Sequence, residues 1–465
     1  MTLRDGALPE RTFDVAVVGA GVVGCAIARE LVRRGADVVL LDAADDVGDG
    51  TSKANTAILH TGFDATPGTL ESRLVARGHQ LLLAFAAEVG IPVALTGALL
   101  VAWDEEQLAA LRPIAEKARA NGYADAREVG LDELRRREPS LGPGALGALE
   151  IPGEGIVCPW TTTLAYATEA VLAGATVLLG AEVTAIAPGV EATALQTTRG
   201  TVRARHLINA AGLFSDELDR HMGHADFTVT PRRGELVVFD KLARPLVHHI
   251  LLPVPTGRTK GVLVAPTVYG NVLLGPTADD VQSRTDRGTT EAGLEALFAA
   301  GKRIVPARGE HEVTATYVGL RAATEHADYQ LRFHPEQRYV CVGGIRSTGL
   351  TASLAIAEHV AAGLTEQGLE LADEASGPRA QMANISELAP RPFAEPERIA
   401  ADPEYGRIAC FCERVSHGEL RDALAGPIPP ATPEGLRRRT RALMGRCQGF
   451  YCGAAVTRTL EEARG

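Results

Sequence analysis

Short apolar runs and a helical pattern alternate at the start of the chain. Residues 13–18 form a β-branched, apolar run that ends at Gly19, as is typical of a strand buried within a parallel sheet. The apolar spacing that follows predicts a helix through Arg34, and residues 36–41 repeat the pattern of the first strand. The chain therefore begins with a β-α-β unit.

Similar patterns predict the elements that follow. Amphipathic spacing predicts helices at 105–120, 131–137 and 161–172. Apolar runs predict strands near 175–179, 201–209 and 339–342, and a long helix from 353 to about 363. Between 228 and 278, short strands alternate with turns, which indicates a mainly antiparallel sheet that differs in kind from the first unit.

The pattern changes again near the end of the chain. Residues 373–403 are rich in Pro, Glu, Ala and Arg and have no clear period, which indicates a linker. Residues 404–465 follow as a small unit that contains four of the seven cysteines. The length of 465 residues suits about three units of ordinary domain size.

The composition is that of a soluble globular protein, with 46% hydrophobic and 23% charged residues. The net charge of −11 argues against a nucleic-acid partner, because such proteins need a basic stripe. Residues 1–14 carry both signs of charge, unlike a signal peptide, and Pro, Gly and Asn interrupt the longest uncharged stretches. We therefore expect a cytoplasmic protein without a transmembrane segment, whose cysteines serve some purpose other than disulfides.

A glycine fingerprint follows the first strand. In the run 19–24, Gly19 permits a tight turn, Gly21 lets a pyrophosphate approach the backbone, and Gly24 permits close helix–sheet packing. Asp42 ends the second strand, where its carboxylate can accept hydrogen bonds from ribose hydroxyls. This arrangement predicts an adenine dinucleotide but does not distinguish NAD from FAD.

Three further stretches of small residues indicate an extended ligand. They are residues 51–62, the turn 209–212 and residues 343–353. A nicotinamide cofactor seldom needs contacts at so many separate places, whereas a permanently bound FAD does. The sequence therefore favours FAD.

These motifs resemble the D-amino-acid oxidase superfamily of FAD-dependent oxidoreductases, in particular its glycerol-3-phosphate dehydrogenase and L-2-hydroxyglutarate oxidase branch. The matching runs, in the order of the family, are the fingerprint, 51–62, 207–212, 231–235, 273–277, 319–321 and 344–353. The resemblance implies an α/β and α+β fold, in which a Rossmann-like FAD-binding domain is interleaved with an antiparallel-sheet substrate domain.

The resemblance also implies domain boundaries. The oxidoreductase would occupy residues 1–372, followed by the linker 373–403 and a cysteine-rich helical domain at 404–465. Within the oxidoreductase, the FAD-binding parts would be about 13–80, 155–225 and 335–372. The substrate-binding parts would be about 81–154 and 226–334.

The resemblance places individual residues on the cofactor. Asp42 would bind the ribose, Thr51 and Ser52 would lie near the pyrophosphate, and His60 and Gly62 would lie beside the isoalloxazine. The helix start at 349–351 would face the pyrimidine edge of the flavin, where a helix N-terminus stabilises negative charge. The full predicted FAD set is Gly19, Gly21, Val22, Val23, Gly24, Asp42, Thr51, Ser52, Asn55, His60, Gly62, Ala211, Gly212, Gly344, Gly349, Leu350 and Thr351.

Four cysteines near the C-terminus form two close pairs, Cys410 with Cys412 and Cys447 with Cys452. Four thiolates in one small unit indicate a metal centre. Structural zinc more often uses C-x-x-C pairs, so the C-x-C spacing favours an iron–sulfur cluster, although zinc or no metal stays open. The other three cysteines, Cys25, Cys158 and Cys341, have the sequence context of ordinary structural residues.

Residues 436–449 carry a second resemblance, to the bacterioferritin-associated-ferredoxin-like [2Fe-2S] domain at the end of anaerobic-type glycerol-3-phosphate dehydrogenases. This resemblance implies that the four cysteines hold a [2Fe-2S] cluster. The same run contains five arginines, which either offset the negative cluster, dock an electron carrier, or form a solvated basic helix face. They are Arg437, Arg438, Arg439, Arg441 and Arg446.

Flavin oxidation of an alcohol needs a base, and an anionic substrate needs a cation. His60 is the first candidate for the base, although a lone histidine is often only a packed hydrogen-bonding residue. Arg321 is predicted to hold the anion by bidentate contacts, with a structural ion pair as the alternative. Arg346 departs from the family, which has an acidic residue or a lysine there. Secondary candidates are Lys260, His248 and His249.

These observations predict an FAD-dependent dehydrogenase that oxidises a small anionic secondary alcohol, with glycerol 3-phosphate as the first candidate. Electrons would leave through the cluster to an acceptor protein or partner subunit, through which the protein could associate peripherally with a membrane. Three alternatives stay open: a 2-hydroxyacid enzyme acting on L-2-hydroxyglutarate, an amino-acid or amine oxidase, and a non-catalytic redox subunit.

Overall fold

The first β-α-β unit forms the centre of a large, mainly parallel sheet. In the computed structural model, which describes residues 1–4, 8, 10–255, 261–307 and 312–463, Thr12–Val18 lies parallel between Val38–Leu41 and Gly200–Asn209. Along the far edge of Gly200–Asn209, Thr193–Thr197 pairs antiparallel with its first half and Tyr339–Gly343 pairs parallel with its end. The other strands of this sheet are Thr2–Leu3, Thr176–Leu178, Val183–Ala187 and Gln330–His334.

Buried helices pack against this sheet and against one another. Val22–Arg33 contacts both Pro159–Leu172 and Gly349–Glu366, and the last of these also packs on Leu70–Val89. A β-carbon at Gly78 would overlap the carbonyl oxygen of Thr351, so glycine permits the close approach of the last two helices. The short helix Ser215–His221 follows the strand that ends at Asn209.

The second large sheet is antiparallel apart from one parallel pair, as the strand-and-turn pattern predicts. Its longest pair, at one edge of the sheet, joins Thr230–Phe239 to Val313–Ala323 over nearly their full lengths. The remaining strands are Ala98–Ala102, Arg127–Gly130, Gly147–Ile151, Ile250–Pro253, Leu263–Pro266, Val272–Gly275 and Asp279–Asp280. The helices beside them are Glu105–Ala120, Leu131–Arg137 and Glu291–Ile304.

A small three-stranded sheet joins parts of the oxidoreductase unit that are far apart in the sequence. Its strands are Ile58–Leu59, Gly155–Val157 and Val93–Ala94, all paired antiparallel. Leu59 pairs with Gly155, so the residues that follow and precede these two positions, His60 and Glu154, become neighbours.

The C-terminal unit has its own small core. The strands Ile408–Cys410 and Val415–Ser416 form a hairpin, and the helices are His417–Ala425, Pro433–Thr440 and Gly453–Glu462. Val415, Leu420, Leu436 and Val456 are buried together in this unit. The fold therefore matches the predicted class: an α/β part, an antiparallel part and a small helical unit.

Residues 373–403 connect the two units, and although most of these residues are exposed, a few are anchored to the oxidoreductase unit. The backbone N–H of Ala380 donates to buried Glu169, and that of Met382 donates to the carbonyl oxygen of Val89. The segment also contains the short helix Pro396–Ala401. In the described part of the chain, no helix is both long and apolar enough to cross a bilayer.

Candidate functional site

The glycine fingerprint is sterically required by its neighbours. Gly19 has φ +107°, and a β-carbon there would overlap the carbonyl oxygen of Ala210. A β-carbon at Gly24 would likewise overlap the carbonyl oxygen of Gly19. At Gly21 the nearest atom is Ser52 Oγ, at 3.2 Å from the position of a β-carbon, so the backbone is more open there. This cradle begins the helix Val22–Arg33 and fits the pyrophosphate of a dinucleotide.

Asp42 closes the fingerprint turn. One carboxylate oxygen accepts from the backbone N–H of Ala20 at 2.6 Å, and the other accepts from that of Ala44 at 2.8 Å. Burial raises the pKa of Asp42, while these two backbone donors lower it. Asp42 therefore fixes the turn at the end of the second strand, where the ribose contact is predicted.

The loop after Asp42, residues 43–57, is called the nucleotide loop below. It is hydrogen-bonded to the fingerprint and to the antiparallel sheet. Ser52 Oγ accepts from the backbone N–H of Val22 at 2.9 Å, and the Thr51 hydroxyl donates to the carbonyl oxygen of Leu320 at 2.8 Å. The Asn55 side chain bridges the loop by donating to the Ser52 carbonyl and accepting from the Ala57 N–H. Thr51, Ser52 and Asn55 therefore hold the loop in position through hydrogen bonds.

The start of the last long helix also lies at this site. The backbone N–H of His60 donates to the Thr351 hydroxyl at 3.0 Å. A β-carbon at Gly349 would lie 3.8 Å from the Val23 side chain, beside the fingerprint. The structure therefore brings the runs 19–24, 51–62 and 349–351 together, as expected for FAD.

Four more of the predicted FAD residues form turns next to these elements, and one is packed in the helix start. Gly62, Gly212 and Gly344 have positive φ, and the Ala211 N–H bonds to the Asn209 side chain. Leu350 is buried at the start of its helix. The glycine cradle, the two long-helix N-termini and the nucleotide loop together fit an extended dinucleotide.

His60 is paired with a buried carboxylate. Its Nδ1 lies 3.0 Å from Oε2 of Glu154, whose other oxygen accepts from the Thr61 N–H at 2.6 Å and the Thr61 hydroxyl at 2.9 Å. Glu154 is fully buried, and a carboxylate with these donors acts as an acceptor. This geometry suits a hydrogen bond in which Nδ1–H donates to the Glu154 carboxylate, the tautomer in which Nε2 carries the lone pair of the ring.

Glu154 is a residue that the sequence reasoning missed. The only local signal is one acidic residue within the otherwise apolar and glycine-rich run 151–157. Its proximity to His60 depends on strand register across 94 positions of chain.

Arg321 is half-buried on the strand Val313–Ala323. Its guanidinium lies against Gly234 and donates to the carbonyl oxygen of Thr277 at 3.2 Å. Burial lowers the pKa of Arg321, and the charge of Arg232 lowers it further. Among the described residues, Arg321 forms no ion pair within 4 Å with a carboxylate, which favours the predicted anion site over a structural ion pair.

The other predicted cations differ from Arg321. Arg346 donates to the carbonyl oxygen of Ala327 and lies 3.7 Å from the Glu71 carboxylate, so its charge already has a partner. Lys260 lies outside the described residues. His249 Nδ1 is 2.7 Å from Glu138, whose carboxylate also accepts from the backbone of His248, so this pair has a structural setting.

The four C-terminal cysteines form two facing pairs, Cys410 with Cys452 and Cys412 with Cys447. Cys410 and Cys452 are buried, while Cys412 and Cys447 are partly exposed. Burial raises the pKa of Cys410 to about 11. The pKa of Cys447 is lowered, first by the backbone N–H of Tyr451 and also by Cys412 and by the N–H groups of residues 449 and 450.

This donor set fits an iron–sulfur cluster. In the part of the chain that the structure describes, no group of three or more His, Cys, Asp or Glu side chains has the arrangement for one metal ion. The two facing thiol pairs supply the four thiolates that a [2Fe-2S] cluster requires, and the N–H groups around Cys447 can stabilise sulfur charge.

Three of the five arginines in this run are buried, so they do not form a solvated basic face, whereas Arg437 and Arg446 are partly exposed. Arg438 and Arg439 bind the carboxylate of Asp46, and Arg441 binds Glu413. Arg446 reaches Asp240 at 2.7 Å, and Arg437 pairs with nearby Glu434. All five arginines therefore form ion pairs within the chain, and the three buried ones include two that bind the nucleotide-binding unit.

Comparisons with known proteins agree with both parts of this site. The family model described as FAD dependent oxidoreductase matches residues 14–362, and that described as BFD-like [2Fe-2S] binding domain matches residues 408–462.

Individual relatives extend this agreement. The chain is 33% identical to a glycerol 3-phosphate dehydrogenase of Caloramator mitchellensis, over 97% of this chain and 95% of that protein. It is 31% identical to a glycerol 3-phosphate oxidase of Mycoplasma pneumoniae, over 74% of this chain and 92% of that protein. The solved structure of dithionite-reduced L-alpha-glycerophosphate oxidase from M. pneumoniae with FAD bound aligns with TM-score 0.75 and 28% identity, over 81% of this chain and all of that one.

Proposed function

The chain belongs to the FAD dependent oxidoreductase family and carries a BFD-like [2Fe-2S] binding domain, and from this premise we propose that it is a glycerol-3-phosphate dehydrogenase. FAD and a [2Fe-2S] cluster are its cofactors. The observation that supports an anionic substrate is Arg321, a half-buried guanidinium that forms no ion pair with a carboxylate among the described residues. The residue before it, Leu320, accepts a hydrogen bond from Thr51 of the loop that follows Asp42.

In this proposal Arg321 binds the substrate and His60 acts as the base. Arg321 binds the phosphate dianion by charge-assisted hydrogen bonds and so determines which carbon faces the flavin. His60 accepts the proton of the secondary hydroxyl at Nε2, and Glu154 holds the ring and stabilises its positive charge. FAD held in the glycine cradle would supply the hydride acceptor for this carbon, and loss of the hydride together with the hydroxyl proton would leave a ketone.

We propose that electrons leave through the cluster to an electron-accepting protein or partner subunit. Three aromatic side chains lie next to the ligand cysteines and are exposed: Phe411 at 67%, Phe450 at 84% and Tyr451 at 68%. Exposed aromatics beside the partly exposed Cys412 and Cys447 suit a protein contact near the cluster. If that partner is bound to a membrane, it would also hold this protein at the membrane surface.

We further propose that the protein works in the cytoplasm. All seven cysteines are free, and four of them are the cluster ligands in this proposal. Free thiols and thiolate-bound clusters are favoured in a compartment that keeps thiols reduced.

The experiment is anaerobic reduction of the purified holoprotein with candidate substrates. Glycerol 3-phosphate is expected to bleach the oxidised flavin absorbance, whereas amino acids leave it unchanged. L-2-hydroxyglutarate in a separate arm tests the 2-hydroxyacid alternative. Bleaching by amino acids alone would overturn the alcohol assignment, and no bleaching by any substrate would indicate a non-catalytic redox subunit.

A further inference from the structure

The loop that frames the expected FAD pyrophosphate has an unfavourable charge. Between Asp42 and Lys53 it carries four aspartates and a single lysine. Lys53 is already paired with Asp49 at 2.7 Å. A diphosphate brings two further negative charges to this loop, so repulsion opposes binding unless other cations lie nearby.

Arg4 donates to the carbonyl oxygen of Asp45, and Arg287 lies 3.9 Å from Asp49, but the two buried cations that bind the carboxylates of this loop come from the C-terminal unit. Asp46 is only 1% exposed and accepts from Arg438 Nη2 at 2.8 Å and from both terminal nitrogens of Arg439 at 2.7 Å. Arg439 also donates to the carbonyl oxygens of Ile428 and Gly435. Arg439 is therefore held in place by both units.

Arg438 has a different setting from Arg439. Its Nη1 lies 2.9 Å from Asp49 Oδ1, and the residue is 7% exposed. It lines a small cavity that Gly48 and Ser52 of the same loop also line. Ser52 in turn accepts from the N–H of Val22 at the start of the fingerprint helix. A guanidinium thus lies in contact with the loop that is expected to hold the FAD diphosphate.

We propose that Arg438 is part of the FAD site, so that the cluster-bearing unit completes the binding of the flavin in the other unit. Its positive charge offsets Asp46 and Asp49 and favours the diphosphate of FAD at the nucleotide loop. The proposal rests on the placement of FAD given under the proposed function. It makes FAD affinity depend on the C-terminal unit rather than on the fingerprint alone.

The test measures FAD affinity directly. Deflavinated Arg438→Gln protein is titrated with FAD by fluorescence, beside wild type and Arg437→Gln, a neighbour on the same helix that pairs with Glu434 on the surface. We expect the Kd for FAD to rise about tenfold in Arg438→Gln and to stay within about twofold in Arg437→Gln. Iron and sulfide content shows whether the C-terminal unit remains folded. An unchanged Kd with an intact cluster overturns the proposal.

For a second variant, Asp49→Asn, the proposal predicts a change in the Kd for FAD in the opposite direction. This variant tests the proposal if Arg438→Gln does not fold. Asp49→Asn removes a negative charge beside the loop and releases Arg438 and Lys53 to act on the diphosphate. FAD binding should tighten about threefold, and a Kd that stays the same or rises contradicts the proposal. Failure of wild type to bind FAD at all would instead overturn the proposed function.

Discussion

The pairing of His60 with Glu154 determines the chemistry that His60 can perform. A buried carboxylate that accepts two hydrogen bonds from Thr61 favours the tautomer with the proton on Nδ1 and the lone pair on Nε2. Because both residues lie at the ends of paired strands, the ring orientation is fixed by the sheet. Glu154 is a positioning residue in this account, since it acts through His60.

Replacing either partner should lower turnover with little change in substrate affinity. We expect His60→Gln to reduce kcat for glycerol 3-phosphate by about 10²–10⁴-fold, the usual contribution of a general base. Glu154→Gln should reduce kcat about 10–100-fold and alter the pH profile of kcat, because the tautomer is no longer fixed. Steady-state kinetics with measured FAD content test this. Unchanged pH profiles and kcat in Glu154→Gln would remove its positioning role.

Arg321 and Arg346 give a matched comparison for substrate binding. Arg321→Gln removes the half-buried guanidinium assigned to the phosphate, so KM for glycerol 3-phosphate should rise about 100-fold. Arg346→Gln removes a cation already placed near Glu71 and should raise KM only a few-fold, about threefold. The reverse order of effects would transfer the anion site to Arg346.

At the scale of elements, the hydrophobic pattern predicted the strands and helices that depend on the residues within each element. The strand Thr12–Val18 and the helices Glu105–Ala120 and Leu131–Arg137 follow from apolar runs and amphipathic spacing. The helix Gly349–Glu366 begins four residues before the predicted start, because buried packing outweighs the weak helix propensity of glycine and threonine there. Local patterns therefore identify an element better than its ends.

Contacts between distant elements could not be predicted in this way. The steric roles of Gly19 and Gly24, by contrast, were predictable from the spacing of the fingerprint after a strand. To predict the contact of Glu154 with His60, one must know the strand register of the small sheet. To predict that Arg438 and Arg439 are buried, one must know that they bind Asp46, almost 400 positions earlier in the chain. The segment 373–403 packs through backbone N–H groups, which leave no hydrophobic period in the sequence.

The contact of helix Pro433–Thr440 with Asp46 should depend on pH in a defined direction. Burial raises the pKa of Asp46, but hydrogen bonds and charge from Arg439 and Arg438 outweigh burial and hold it below the ordinary value. A lowered folded-state pKa adds stability above the unfolded pKa of about 3.9, and this stability is lost as the pH falls through the folded value.

Urea denaturation of wild type and Asp46→Asn at a series of pH values checks this. At pH values above about 5, Asp46→Asn should be less stable by about 3–5 kcal/mol, because two buried arginines lose their partner. The difference should shrink only below about pH 4. A stability difference that is already absent at neutral pH would contradict the structural role of this ion pair.

At the scale of the whole molecule, one continuous contact joins the cysteine unit to the flavin unit. Arg441 lies 4.3 Å over the Tyr269 ring, which stacks at 5.0 Å on Trp160. The Trp160 indole N–H donates to the carbonyl oxygen of Lys53 in the nucleotide loop at 3.0 Å. Arg446 and Gln448, which flank Cys447, also bind the antiparallel sheet. The cluster site is thus fixed relative to the FAD site.

The two cofactors should nevertheless be separable by mutation. Cys447→Ser removes one thiolate from the facing pairs and is expected to abolish bound iron and sulfide. FAD should remain, because the Asp46 contacts do not involve this residue. Cys25→Ala, a buried cysteine in the first helix, is the control and should retain both cofactors. Unchanged iron content in Cys447→Ser would overturn the ligand assignment.

The central claim is that glycerol 3-phosphate electrons pass through the flavin to the cluster. Anaerobic titration of the holoprotein with glycerol 3-phosphate, followed by absorbance and by electron paramagnetic resonance, tests it most directly. We predict that substrate bleaches the flavin and also produces the paramagnetic signal of a reduced [2Fe-2S] cluster, and that Cys447→Ser shows only the bleaching. Bleached flavin with no cluster signal in wild type, at substrate excess, would contradict the account.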